Sequence, residues 1–281
     1  MDTTVAVLVE ERYLLQAQPA GLIAALSRRG VKVQVGTDAL RDLGRWVESL
    51  GRIGAVVARG RSTSLLAALR FAEQRGCVVV DPARAIAGVR DKIVMTRRLL
   101  AAGIPIPNTW SGTLADAYRA ASVQDYPLIC KPVYGDNGRG LQVVGSPAAL
   151  RRLTWREPKL LAQHYLPSDG VDLKLYVIGD HVSAVHKPSP ITACFGRDLG
   201  PVPVTAEMRR IAARCGRAFG LSVFGVDCLR TPSGLVVIEV NDFPNFTSVP
   251  DADDRLAAHV CAAMKARSPE SPPEPERGGS S

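Results

Sequence analysis

Two short apolar runs near the C-terminal end restrict this chain more than any other feature. Residues 223–229 read Val-Phe-Gly-Val-Asp-Cys-Leu, residues 235–240 read Leu-Val-Val-Ile-Glu-Val, and Thr231-Pro-Ser-Gly234 lies between them. Strand-length runs around a Pro/Gly turn predict a β-hairpin. Asp227 sits inside the first strand. Glu239 and Asn241 sit two apart on the second, so their side chains share one face. Val236, Val237, Ile238 and Val240 make that strand apolar on both faces, which predicts a buried hairpin. Carboxylates in such a place are costly unless paired or metal-bound. Hard oxygen donors of this kind suit Mg²⁺, which keeps some coordination positions for phosphates. Asp227, Glu239 and Asn241 are therefore the expected metal ligands.

The rest of the chain falls into two rhythms. Up to residue 88, strand-like runs (4–9, 31–35, 53–58, 78–80) alternate with helical spacings (19–29, 39–50, 62–75). That alternation predicts a small parallel sheet with helices on its faces. A helix over 91–102 follows, closed by Gly103, and Pro105 and Pro107 force an extended exit. Then come strand candidates at 127–132, 141–144, 160–165, 173–178 and 181–186, a helix at 206–219, and the hairpin. Short connections imply mostly antiparallel pairing. The expected fold is thus α/β (1–88) joined to α+β (89–265), with a Pro-, Glu-, Ser- and Gly-rich tail over 266–281 expected to be disordered.

Composition removes several alternatives. No apolar run approaches the roughly 20 residues that span a bilayer. No signal peptide is evident at the N-terminus, so a cytoplasmic protein with no membrane partner is expected. Six cysteines are scattered without CxxC spacing, and four histidines form no HxxH or HExxH pattern. Neither a zinc site nor a redox pair is indicated. The net charge of +8 favours an anionic ligand. No basic stripe carries interleaved aromatics, so nucleic acid is not the expected partner.

A second chemical signal is Lys131-Pro-Val-Tyr-Gly135-Asp-Asn-Gly138-Arg-Gly140. A lysine ends an apolar strand and a glycine-rich loop follows. Glycines let backbone N–H groups approach phosphate oxygens, and the lysine adds a point charge. The spacing is neither a P-loop nor a dinucleotide fingerprint.

Taken in order, several segments resemble the ATP-grasp superfamily. They are Arg90-Asp-Lys92, Gly103-Ile-Pro-Ile-Pro-Asn-Thr109, Pro127-Leu-Ile-Cys-Lys-Pro132 with the glycine loop, Gln163-His-Tyr-Leu166, Asp172, and Gly225-Val-Asp227 with Glu239-Val-Asn241. The match covers roughly 89–260, and the last spacing is similar to the RimK-like alpha-L-glutamate ligases. The resemblance implies an ATP-grasp fold, with 1–88 in the place of the pre-ATP-grasp domain. It implies ATP and Mg²⁺ as cofactors, with Mn²⁺ as a substitute. Lys92 and Lys131 would contact the phosphates, and Lys187 would approach the terminal ones. Gln163, His164, Tyr165 and Leu166 would form the adenine hinge and Asp172 would hold the ribose. Gly135, Gly138 and Gly140 would belong to a mobile lid. Lys131, Arg139 and Lys187 would offset charge on the transferred phosphoryl group.

Ligases of this type join a carboxylate to an amine, here an amino acid or peptide, through an acyl phosphate. Association into a homo-oligomer is common among them. Two stretches depart from the ligase pattern: Lys187-Pro-Ser-Pro-Ile-Thr-Ala-Cys-Phe195 and Asn241-Asp-Phe-Pro-Asn245. Both fall where the substrates should sit. A second ATP-grasp family, the inositol trisphosphate 5/6-kinases, resembles this chain at Lys187-Pro-Ser189, Phe224-Gly-Val-Asp227, Asn241-Asp-Phe-Pro244 and Lys174. That resemblance makes Lys174 and Arg59 candidates for substrate contact, with Asn245 beside them. Gly138-Arg-Gly140 is closer to the ligases, and a ligase is the favoured reading.

Overall fold

The computed structural model describes residues 4–135, 138–191 and 199–266. Of the tail expected over 266–281, Ala266 ends the last helix and residues 267–281 lie outside the described residues, as do residues 1–3, 136–137 and 192–198.

The first part follows the alternation of its sequence. β1 (Thr4–Val9), α1 (Ala17–Arg28), β2 (Lys32–Thr37), α2 (Leu43–Ser49), β3 (Ile53–Arg59), α3 (Thr63–Gln74) and β4 (Val79–Val80) form a parallel sheet in the order β2-β1-β3-β4. β1 is buried at every position, as expected for a strand covered by helices on both faces. Helix α2 is shorter than the 39–50 spacing suggested. Asp42 accepts from the Arg45 N–H and starts the helix there. Ser62 caps α3 as read from sequence.

Two antiparallel sheets follow. α4 (Ala83–Arg90) and α5 (Lys92–Ala101) lead into β5 (Thr109–Gly112), α6 (Leu114–Ala120), β6 (Leu128–Pro132), β7 (Gln142–Val144), α7 (Pro147–Arg151) and β8 (Leu160–His164). Their strands pair in the order β5-β8-β6-β7. β9 (Val171–Ile178), β10 (His181–Pro188), β11 (Gly200–Val202), α8 (Ala206–Phe219), β12 (Val223–Thr231) and β13 (Gly234–Asp242) form the second sheet, in the order β11-β10-β9-β12-β13. The β12–β13 hairpin pairs Asp227 with Glu239 and Gly225 with Asn241, with a bulge after Asp227.

The final helix, α9 (Ala252–Ala266), packs back on the first sheet. Leu256, Ala257 and Val260 share a core with Val5, Val7, Leu22 and Val57. Tyr176, Phe243 and Phe246 join the same core, so it runs from the parallel sheet into the large antiparallel one. Asp81 pins that junction: it accepts from the Ser222 N–H at 2.8 Å, the Ser222 hydroxyl at 2.6 Å and the Val223 N–H at 2.9 Å.

Behind the hairpin, α8 lies on β9, β12 and β13. Phe224 is 1% exposed in that layer among Ile211, Cys215 and Val240. Replacing Phe224 by Ala is expected to cost about 3–5 kcal/mol through lost burial and a residual cavity. Urea unfolding monitored at fixed slope checks it; a loss under about 1 kcal/mol would mean that this layer is loosely packed.

Candidate active site

The two antiparallel sheets and the end of β3 enclose a cavity of about 540 Å³. Of the side chains and glycines singled out in the sequence, all but Gly140 line it. Gly140 is a turn residue at φ +74°, where a Cβ would come within 2.8 Å of Pro132.

The hairpin face brings Asp227, Glu239 and Asn241 together, and lysines compensate the carboxylates. Lys174 on β9 lies opposite Asp227 and approaches its two oxygens at 2.8 and 3.1 Å. Gly225 makes room for it: a Cβ there would be 3.1 Å from Lys174 Cε. Lys92, at the start of α5, reaches Glu239 at 2.9 Å and the Gly135 carbonyl at 2.6 Å. It thereby ties the glycine loop to the hairpin. Asn241 donates through Nδ2 to Asp227 at 2.8 Å. Its carbonyl oxygen is therefore the end left to accept a ligand.

Electrostatics follow from this crowding. Burial acts to raise the Glu239 pKa, but Lys92, then Lys131 and Lys174, hold it below the ordinary value. Burial acts to lower Lys174, and Asp227 overcomes it, so that ammonium is held above its usual range. Lys131 is different. It is buried with its Nζ on the Gln163 amide oxygen at 2.7 Å, a neutral partner. Burial pulls its pKa down to about 8. Lys187 is also lowered, by burial and then by Lys174.

Two carboxylates and an amide oxygen are hard donors, and their chemistry fits a Mg²⁺-like cation. Among the described residues no cluster of three His, Cys, Asp or Glu is present, so a site of softer or purely acidic character is not offered. Lys92 and Lys174 already balance the two carboxylates. An added divalent cation would leave this end of the cavity positive, as a polyphosphate requires.

At the opposite end lies the 163–166 segment. Gln163 donates to the Thr109 hydroxyl at 3.0 Å, so its amide links Lys131 to β5. The His164 N–H bonds the Asn108 carbonyl at 2.8 Å and the Tyr165 N–H bonds the Pro127 carbonyl at 2.9 Å. Neither main-chain donor is open to a ligand. His164 Nδ1 meets the Asp125 carbonyl at 2.6 Å. Between the two ends, Asp172 Oδ1 is buried without a hydrogen-bond partner, and burial raises the Asp172 pKa to about 6.

Several other wall residues carry no signal in the sequence. Tyr13, Gln16 and Arg61 come from the parallel-sheet part, and Tyr176 and Thr247 from the second sheet and the loop after β13. None belongs to a motif, and only the packing of the first sheet against the hairpin brings them in.

The Lys92–Glu239 pair predicts a measurable coupling. Lys92→Met leaves a largely buried carboxylate without its nearest cation, at an expected cost of about 2–3 kcal/mol. Glu239→Gln in the same chain should recover at least half. Unfolding free energies of both single variants and the double variant test this. Additive losses would show that the two side chains are energetically independent.

Comparison with known proteins agrees with this geometry. The family model of the RimK-like ATP-grasp domain matches residues 89–263. A probable alpha-L-glutamate ligase of Xanthomonas oryzae pv. oryzae is 31% identical over 211 residues, 70% of this chain and 70% of that protein. Among solved structures, a RimK domain ATP-grasp protein from Sphaerobacter thermophilus superposes with a TM-score of 0.70 at 22% identity, covering 92% of this chain and 99% of that one. The ATP-grasp ligase PsnB, solved with minimal precursor, Mg and ADP, gives a TM-score of 0.72 at 20% identity, covering 94% and 99%. The fold is the ATP-grasp fold in both. With a family model spanning more than half of its length and a relative above 30% identity, this chain belongs to the RimK-like ATP-grasp family.

Proposed function

We propose that this protein is an ATP-dependent carboxylate–amine ligase acting on amino acids or peptides, with the nucleotide and both substrates meeting in the cavity between the two antiparallel sheets. The observation that carries the reading is the gathering of Lys92, Lys131, Lys174 and Lys187 around Asp227, Glu239 and Asn241 in one cavity. Polyphosphate chemistry needs cations on every side of the transferred group.

The division of labour follows from position. Lys131 and Lys92 take the phosphate chain, since both are buried and both border the glycine loop. Asp172 accepts a ribose hydroxyl on its unpartnered Oδ1. Leu166 offers its N–H to the base. Arg139, exposed on the loop, and Lys187, on β10, face the terminal phosphoryl group. Asp227, Glu239 and Asn241 hold Mg²⁺, which when bound supplies charge neutralisation for the phosphates.

The reaction then needs no protein nucleophile. A substrate carboxylate oxygen attacks the γ-phosphorus, and the bond to the ADP oxygen breaks. The amine attacks the acyl carbon of the resulting acyl phosphate, phosphate leaves, and the amine loses a proton. The chain's residues align the reactants and keep water away.

Lys174 and Phe224-Gly-Val-Asp227, which also suggested a kinase, serve the hairpin. Lys174 is engaged by Asp227, and Gly225 is the space it needs. Screening amino acids and dipeptides for stoichiometric release of ADP and free phosphate tests the reading. Release of ADP with a phosphorylated product and no free phosphate would identify a kinase instead. Asp227→Asn is expected to lower kcat by about three orders of magnitude, since it removes a charge that the reacting phosphates require; near-normal turnover would remove Asp227 from the mechanism.

A pH profile offers an independent check. Lys131 is cationic below about 8 and loses its proton as the pH rises through that value. Phosphate binding favours the charged form, so ADP affinity should fall by up to about tenfold per pH unit above 8. Calorimetry should show this fall in the wild type and its absence in Lys131→Arg, whose guanidinium stays charged. A flat wild-type profile would take Lys131 off the phosphates.

A further inference from the structure

We infer that Arg59, with Gln16 and Asn245, is a binding site for a second carboxylate of the substrate, one that is not consumed in the reaction. The inference rests on the ligase reading and extends it to substrate specificity. Arg59 ends β3, lies outside the region matched by the family model, and points its charge at the cavity wall.

Arg59 is 7% exposed. It lies over the Tyr13 ring with Cζ 4.1 Å from the centroid. Its Nη2 donates to the Gln16 amide oxygen at 3.2 Å and to the Asn245 amide oxygen at 3.3 Å. Its Nε is buried without a hydrogen-bond partner. Among the described residues no carboxylate lies within ion-pair distance of it. Burial lowers its pKa, so the charged form is under-compensated where it stands.

The surrounding charges leave a place for one anion. Glu10 takes Arg12 at 2.6 Å and the Arg61 N–H. Asp242, 2% exposed, takes Arg61 Nε at 3.3 Å. Gly60 allows this arrangement. At φ +135° it turns the chain over Glu10, where a Cβ would come within 2.5 Å of Glu10 Cγ. Arg61 and Arg12 therefore have acids in direct contact, whereas Arg59 hydrogen-bonds amides and feels Asp242 and Glu10 only from beyond ion-pair distance. A single negative charge completes the set, which favours a carboxylate over a doubly charged phosphate.

The amides add directionality. Both spend their oxygens on Arg59, which leaves their NH₂ groups available as donors. Asn245 is held there by a strained loop. Phe243, Phe246, Ser248 and Asp251 have φ of 29°, 50°, 63° and 55°, a region L-residues rarely occupy. Strain of this kind concentrates at ligand clamps. The loop begins directly after Asn241 and Asp242, so clamp and metal hairpin are four residues apart along the chain at Asn241 and Asn245.

The test uses the full chain loaded with Mg²⁺ and ADP. Glutarate, its neutral diamide and inorganic phosphate are titrated by calorimetry into the wild type, Arg59→Met and Asn245→Ala. The expected result is glutarate binding at least tenfold tighter than the diamide, and at least a tenfold loss in Arg59→Met. Asn245→Ala should show a smaller loss. It keeps Arg59 and removes only a half-buried amide, so it controls for misfolding of the arginine variant. Glutarate binding that ignores both substitutions, or no preference for glutarate over its diamide, overturns the site. Tighter, Arg59-dependent binding of phosphate overturns the carboxylate assignment. The ligase reading is judged separately, by free phosphate release. Glutarate binding at Arg59 without any such release would count against the ligase while leaving the anion site standing.

Discussion

Two carboxylates in the middle of an apolar hairpin set the terms for the structure around them. Asp227 and Glu239 cannot stay charged inside a protein without cations, and the chain supplies those from separate elements. Lys174 comes from the neighbouring strand, and Lys92 from a helix that belongs to neither sheet. Because Lys92 also holds the Gly135 carbonyl, the glycine loop is fixed relative to the hairpin. Charge compensation thus joins the two sheets at the place where the nucleotide is proposed to lie. A buried pair of this kind adds little net stability over an apolar replacement. Its effect is to fix position, and position is most of what phosphoryl transfer asks of a protein.

The lysines are not equivalent, and the difference is physical. Lys92 and Lys174 face carboxylates. Lys131 has an amide as its direct partner, and burial pulls its pKa down to about 8 against the opposing pull of Glu239. A buried cation in direct contact with no carboxylate favours an anion entering the cavity. The same reasoning applies at the other wall. Arg59 is stacked on Tyr13 and held by two amides, while nearby acids are occupied by other arginines. The cavity therefore carries two separate positive centres, one on the hairpin side and one on the parallel-sheet side.

Local patterning made much of the fold legible. The parallel sheet, helix α8 and the β12–β13 hairpin follow from apolar periodicity and turn residues. Strand β5 was hidden because four residues after two prolines carry no period. Helix α9 was hidden because its sequence, rich in alanine, gives no marked face until the first sheet covers it. The candidate site was legible where a motif marks it, at Lys92, Lys131, Asp227, Glu239 and Asn241. Tyr13, Gln16 and Arg61 were not, because single residues on separate loops have no spacing to recognise. Gly140, expected in the lid with Gly135 and Gly138, stands at a turn against Pro132.

What the sequence by itself determined is the set of chemical groups and their local geometry. An alternating strand places Glu239 and Asn241 on one face, and a Pro/Gly turn brings Asp227 beside them. Those are short-range consequences of backbone stereochemistry. Only the tertiary structure decided how each charge is balanced. Whether a lysine meets a carboxylate, as Lys92 does, or an amide, as Lys131 does, depends on which distant strand packs against it. So does the lack of a carboxylate in ion-pair contact with Arg59 among the described residues. Pairing of charges is a long-range property, set by packing, and it separates the groups that hold the fold together from those left to hold a ligand.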